Sequence, residues 1–263
     1  MTTESSPFDA LIAHLHGAGR LRVWSLIVTI LGDLGGESGT VPLATLLRIT
    51  GHTGIDERAV RTALSRLTAD GLAMSEREGG TTTYRFAPAG AALFAQAQRR
   101  IYEAPETLLR ASWRMAVLPP ARAAERQAQL KALRAQGAAT ASTGLALWPA
   151  HRRIDPDQAL VTPFAPDQVP RWIVDAFLNE KARQEWQDIA TIARKISMHP
   201  PGDAAEVLRM MLLHRWRRAI LRYPPVPTQI LPADWAFPDA HREVAAAYRH
   251  LSRPGLPTGR FAE

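Results

Sequence analysis

Ile55-Asp-Glu-Arg-Ala-Val-Arg-Thr-Ala-Leu-Ser-Arg-Leu67, followed by Asp70-Gly71, decides how the first ninety residues fold. Val60, Ala63, Leu64 and Leu67 recur at helical spacing and make one apolar stripe. At 100° per residue, Arg58, Thr62, Ser65 and Ala69 lie opposite, with Arg61 and Arg66 as flanks. Asp56 is in place to cap the helix, and Asp70-Gly71 ends it. Downstream, 72–78 and 82–87 alternate like two strands around Gly79-Gly80, a hairpin signal.

Upstream, 21–33 reads as an apolar helix with Leu21, Trp24, Ile27, Val28 and Leu31 on one face. A glycine-bearing loop separates it from a short helix over 42–49, and residues 1–19 read as a loose lead-in. Helix, short helix, turn, helix and hairpin is the order of a winged helix-turn-helix. Packing the Val60 stripe on the 21–33 helix turns Arg58, Thr62 and Ser65 outward, where arginine and hydroxyl groups can meet base edges and phosphates. Arg77 and Arg85, near the ends of the hairpin strands, can reach phosphates or a minor groove. The predicted DNA-binding set is Arg58, Arg61, Thr62, Ser65, Arg66, Arg77 and Arg85. The rival reading is a winged-helix protein-interaction module that no longer reads DNA, since basic and acidic residues nearly cancel in the first hundred positions.

The rest of the chain reads as helix over 88–104, strand over 113–118 and alanine-rich helix over 121–136. Strands follow within 138–148 and over 158–164. Residues 172–178 fit strand or helix equally. Helices are expected over 180–197, from Asp203 to about 221, and over 238–251, with Pro200-Pro201-Gly202 as a break. The class is α+β and helix-rich.

The 263 residues carry a net charge of +7, nearly all of it arginine, because lysine stands only at Lys131, Lys181 and Lys195. That balance suits nucleic acid, and it equally suits a GC-rich coding sequence. The absence of cysteine excludes disulfides, cysteine–zinc sites and thiol nucleophiles. No apolar run is long enough for a membrane span, and 1–9 lacks a secretory pattern, so a cytoplasmic protein is expected. The histidines form no His-Glu-x-x-His run, and no phosphate-binding glycine loop is present. A nuclease would need carboxylates around a metal, whereas Asp155 and Asp157 read as turn residues. No enzyme activity, metal or cofactor is expected.

Two motif sets carry a family resemblance. Ile30-Leu-Gly-Asp33, the Ile55–Leu67 stretch with its Arg58-Ala-Val-Arg-Thr-Ala-Leu-Ser-Arg66 run, Asp70-Gly-Leu72, and Tyr84-Arg-Phe-Ala-Pro88 with Gly90 form the first. Leu208-Arg-Met-Met-Leu-Leu-His214-Arg-Trp-Arg-Arg218, Leu231-Pro-Ala-Asp-Trp235 and Tyr248 form the second. Together they resemble the PaaX family of phenylacetate-degradation repressors. The resemblance implies a homodimeric repressor built from a winged helix (20–88), a linker helix (89–108), a ferredoxin-like βαββαβ middle domain (109–180) and a helical C-terminal domain (181–263). It implies a double-stranded DNA operator and a small-molecule effector of the aryl-CoA thioester type. The effector-binding candidates under it are His214, Arg217, Arg218 and Trp235, the arginines for CoA phosphates and a tryptophan for an aryl slot. The same basic cluster also fits a solvated helix face around a buried Trp216. The chain departs from the family pattern at Leu109–Trp113, Tyr223 and Ala236-Phe237, all outside the helix that would read DNA.

Overall fold

The computed structural model describes residues 11–12, 14–15, 21–35, 39–102, 111–178, 180–198, 204–232, 234–252 and 261. The Pro200–Gly202 break, the Asp203 cap and residues 103–110 of the expected linker lie outside the described residues.

The fold is α+β, with two small antiparallel sheets. Helix α1 (Val23–Ile30) runs into a π-helical turn (Leu31–Gly35). Strand β1 (Val41–Pro42) leads into α2 (Leu43–Gly51) and then α3 (Glu57–Ala69). The hairpin β2 (Ala73–Glu78) and β3 (Thr81–Phe86) follows, and β1 adds to it in the order β1-β3-β2. Helix α4 (Pro88–Tyr102) begins directly after the hairpin. Gly90 packs so close to the Leu72 carbonyl that a Cβ there would overlap it, which accounts for glycine at that motif position.

The second sheet contains β4 (Trp113–Val117), β5 (Ala139–Thr140), β6 (Leu145–Pro149) and β7 (Leu160–Phe164), in the order β5-β6-β4-β7. Helix α5 (Ala123–Ala135) connects β4 to β5. The expected βαββαβ pattern differs in one respect: residues 150–159 form no helix, and the next helix, α6 (Arg171–Phe177), comes after the last strand. That result also settles the ambiguous 172–178 segment as helix. The sheet is covered on both faces. Ala116, Ala146 and Trp148 pack with Leu130 and Leu133 of α5, while Trp113, Leu147 and Phe164 join the main core.

The C-terminal part is α7 (Glu180–Ser197), α8 (Ala205–Arg222), a 3-10 turn (Thr228–Ile230) and α9 (Phe237–His250). Thirteen of the eighteen residues of α8 are buried, including Arg209, His214 and Arg215, so this helix is central rather than amphipathic. The main core is continuous from α1 and α3 through α8 to α9.

Two expectations are corrected here. Residues 11–12 and 14–15 are helical, and Leu11, Ile12 and Leu15 are buried in the main core, so this part of the lead-in is anchored. Trp24 is not on the buried face of α1: it is 45% exposed. The reason is that α1 is covered on two sides. Leu26, Ile27 and Ile30 are buried, and the polar Ser25 and Thr29 are buried where they bond α8.

Candidate nucleic-acid interface and ligand hollow

Helix α3 begins where Asp56 accepts hydrogen bonds from the Arg58 and Ala59 backbone N–H groups at 2.6 and 3.2 Å. Val60, Ala63, Leu64 and Leu67 are buried, and Arg58, Arg61, Thr62, Ser65 and Arg66 are exposed. The stripe and the outward face therefore fall where the spacing puts them. The cations of α3 and of the hairpin are not equivalent. Arg61 pairs with Glu57 one turn earlier, its Nε donating at 2.7 Å. Arg85 donates through Nε and Nη2 to Glu76 across the hairpin. Arg58, Arg66 and Arg77 make no ion pair among the described residues. Both pairs are solvent-exposed and contribute little, so a phosphate can displace the carboxylates cheaply. Thr62 Oγ1 donates back to the Arg58 carbonyl at 2.8 Å and remains an acceptor.

The four effector candidates do not share one hollow. Trp235 lines a cavity of about 590 Å³ between the second sheet and the C-terminal helices. Trp186, Phe177, Tyr223, Leu231 and Phe237 supply its apolar wall, and Arg134 and Arg222 are its cations. Arg134 donates to Thr140 Oγ1 at 2.6 Å, and Arg222 lies 3.4 Å from a Glu185 oxygen. An aromatic body with an anionic group matches such a lining. Sequence reasoning missed Arg134 and Trp186, because only the tertiary fold brings the end of α5 and α7 to the same hollow.

His214 and Arg217 instead face α1. His214 Nδ1 lies 3.0 Å from Thr29 Oγ1. Burial first, then Arg217 and Arg218, lower the His214 pKa to about 3, so the ring is neutral. Arg217 Nη1 donates to the Ser25 carbonyl and hydroxyl, both at 3.2 Å, and burial depresses its pKa to about 10. Arg218 lines the surface hollow beside Arg217. Arg215 pairs with Asp188, which also lies 3.1 Å from His14. Trp216 is fully buried and donates to the Ile101 carbonyl at 2.8 Å.

A further cluster was not foreseen. Arg209 donates to Asp33 at 2.9 Å and to the Tyr248 hydroxyl at 2.6 Å, and Tyr248 donates to the other Asp33 oxygen at 2.5 Å. The guanidinium also lies 4.0 Å from the Tyr248 ring centroid. Burial, then Asp33, pushes the Tyr248 hydroxyl above its usual range, so it stays protonated and donates.

Residues 22–90 match the model of the PaaX-like protein family, and residues 176–258 match that of the PaaX-like protein C-terminal domain. The chain belongs to the PaaX family. Its family motifs meet in space: Asp33 from the first set touches Arg209 and Tyr248 from the second. The PaaX-family chain is 24% identical to the transcriptional repressor PaaX of Escherichia coli K12, over 95% of its own length and 87% of the relative's. An uncharacterised Mycobacterium tuberculosis protein, Rv0674, shares the fold with a TM-score of 0.53 at 18% identity, covering 88% of this chain and 99% of that one. As a member of this family the chain is a regulator rather than an enzyme. No described helix is long and apolar enough to cross a membrane.

Proposed function

We propose that this PaaX-family chain is a cytoplasmic, ligand-responsive transcriptional repressor of aromatic catabolism that binds a palindromic operator as a homodimer. Residues 20–88 act as a winged helix-turn-helix: α3 enters the major groove, and the β2–β3 hairpin, with Arg77 and Arg85, flanks it on phosphate. Residues 89–108 link this unit to a ferredoxin-like middle domain (109–180) and a helical C-terminal domain (181–263). The observation that carries the reading is the solvent-exposed α3 face, on which Arg58 and Arg66 stand without ion pairs among the described residues.

The effector, an acyl- or aryl-CoA thioester, places its aryl or acyl group in the hollow beside Trp235 and its anionic part toward Arg134 and Arg222. The wall of that hollow is coupled to the DNA-reading part by direct contacts. Trp186 and Phe237 touch Trp216 of α8, at ring-centroid distances of 5.4 and 5.9 Å, and α8 in turn bonds α1 through His214 and Arg217. The effector acts to the extent that it prefers one arrangement of this contact chain over the other.

A gel shift on the DNA upstream of the protein's own gene, with competitor DNA and with a panel of CoA thioesters and their free acids, tests the whole reading. Specific binding relieved by a thioester supports it. The near balance of basic and acidic residues in the first hundred positions favours a second reading, a winged-helix protein-interaction module, and absence of any specific shift would favour that one.

A further inference from the structure

Two hollows meet at the N-terminal end of α1. The first, about 610 Å³, lies against the outer face of α3, with Arg22, Trp24, Arg58, Thr62 and Arg66 among its walls. The second, about 360 Å³, lies where α1 meets α8, between Arg22, Trp24 and Ser25 on one side and Arg217, Arg218 and Arg222 on the other. Arg22 and Trp24 line both, so the two form one trough running from the DNA-reading helix onto the C-terminal domain.

The trough is rich in cations and poor in counter-charges. Arg22, Arg58, Arg66, Arg217 and Arg218 make no ion pair among the described residues. The one carboxylate in its lining, Asp56, is engaged by the α3 backbone, and Glu185 reaches Arg222 from outside. Among the described residues, Arg217 is bonded only to neutral oxygens of Ser25 and Thr29. Holding several guanidinium groups together, one of them desolvated, without carboxylates is unfavourable unless an anion completes the site. Trp24 adds a flat exposed wall and an indole N–H donor.

We infer that Arg22, Trp24 and Arg218 grip the phosphate backbone of the same duplex that α3 reads, making the C-terminal domain part of the DNA-binding surface. The inference rests on the α3 reading above and extends the footprint beyond the hairpin. The duplex is favoured over a phosphate-bearing effector because the α8-end hollow shares two lining residues, Arg22 and Trp24, with the α3 face and one, Arg222, with the Trp235 hollow. Its apolar lining at the α8 end is confined to Trp24 and Leu221, too little to enclose an aryl group.

The test uses the full chain and a mixed-sequence 40-base-pair duplex, because phosphate contacts are sequence-independent. Binding is followed by fluorescence anisotropy across a KCl series for the wild type, for Arg22→Gln with Arg218→Gln, and for Arg171→Gln on α6 as an off-trough control. Thermal melts confirm that each variant folds. The expected result is a slope of log K against log [KCl] shallower by about 1 to 2 in the double variant, since each phosphate contact contributes about 0.9. The control should keep the wild-type slope. A wild type that binds with a slope the double variant shares overturns this inference alone. A wild type that does not bind DNA at any salt overturns it together with the α3 reading. A double variant with unchanged DNA binding that no longer responds to a CoA thioester would assign the trough to the effector and overturn the inference.

Discussion

Arg209 on α8 and Asp33 in the turn after α1 form an ion pair at 2.9 Å in which neither side chain reaches solvent. Tyr248 of α9 closes the triangle, so three segments far apart in the chain are joined at one buried point. The Leu-Gly-Asp33 motif thereby acquires a physical reason at each polar or small position. Asp33 neutralises Arg209, and Gly32 leaves room for the Phe94 ring, which a Cβ would overlap. This junction fixes the unit bearing α3 against the C-terminal helices.

Removing one partner of a buried pair leaves the other charge uncompensated. Asp33→Ala is expected to lose about 3–5 kcal/mol of stability in urea titration. Asp33→Leu combined with Arg209→Met should be less destabilised than either single change, because no lone charge remains. Equal losses for the double variant and the sum of the singles would show that the pair is not energetically coupled.

The Gly32–Phe94 contact predicts a second, local effect. Gly32→Ala should cost about 1–3 kcal/mol through overpacking, and Phe94→Leu in the same chain should recover part of it. Chemical denaturation of the two variants reads this directly.

His214 predicts a pH dependence. Its folded pKa is lowered to about 3, while the unfolded value is near 6.5. The unfolded state therefore binds the proton first as pH falls. The stability associated with the neutral ring is complete above pH 6.5 and declines between 6.5 and about 3, by about 1.4 kcal/mol per pH unit. His214→Gln should show a shallower acid limb in denaturation measured from pH 7 to 4. Identical limbs would contradict the neutral, buried imidazole.

Much of the first ninety residues was legible because local rules dominate there. Asp56 caps α3, the Val60–Leu67 stripe is buried, and Gly79-Gly80 turns the hairpin, all determined by near neighbours. Trp24 was misplaced because an amphipathic count assumes one covered face, whereas α1 is covered by α3 and α8. The Asp33–Arg209 pair spans 176 positions, and no pattern in one sequence marks two such residues as partners. The basic run His214–Arg218 reads as one cluster along the chain. The helix turns its members toward different neighbours, Thr29, Asp188, Ile101 and Ser25 among them. For the same reason the Trp235 hollow was legible only at Trp235.

The effector proposal predicts a separation of functions at that hollow. Trp235→Ala with Arg134→Gln should retain DNA affinity within about twofold and lose release by CoA thioesters, since these residues are on other elements than α3. Competition gel shifts with and without the thioester measure both quantities on one preparation. Full release in the double variant would place the effector elsewhere.

On the proposed function, α3 reads DNA through the face bearing Arg58. The most direct measurement is a competition gel shift on the protein's own upstream region, wild type against Arg58→Ala, each against excess mixed-sequence duplex. Arg58→Ala is expected to lose about 1–3 kcal/mol of discrimination, seen as about a 5- to 150-fold narrower gap between specific and competitor DNA. Arg85→Ala should weaken binding to both duplexes about equally. An Arg58→Ala protein that keeps the wild-type preference would contradict the assignment of α3 as the DNA-reading helix.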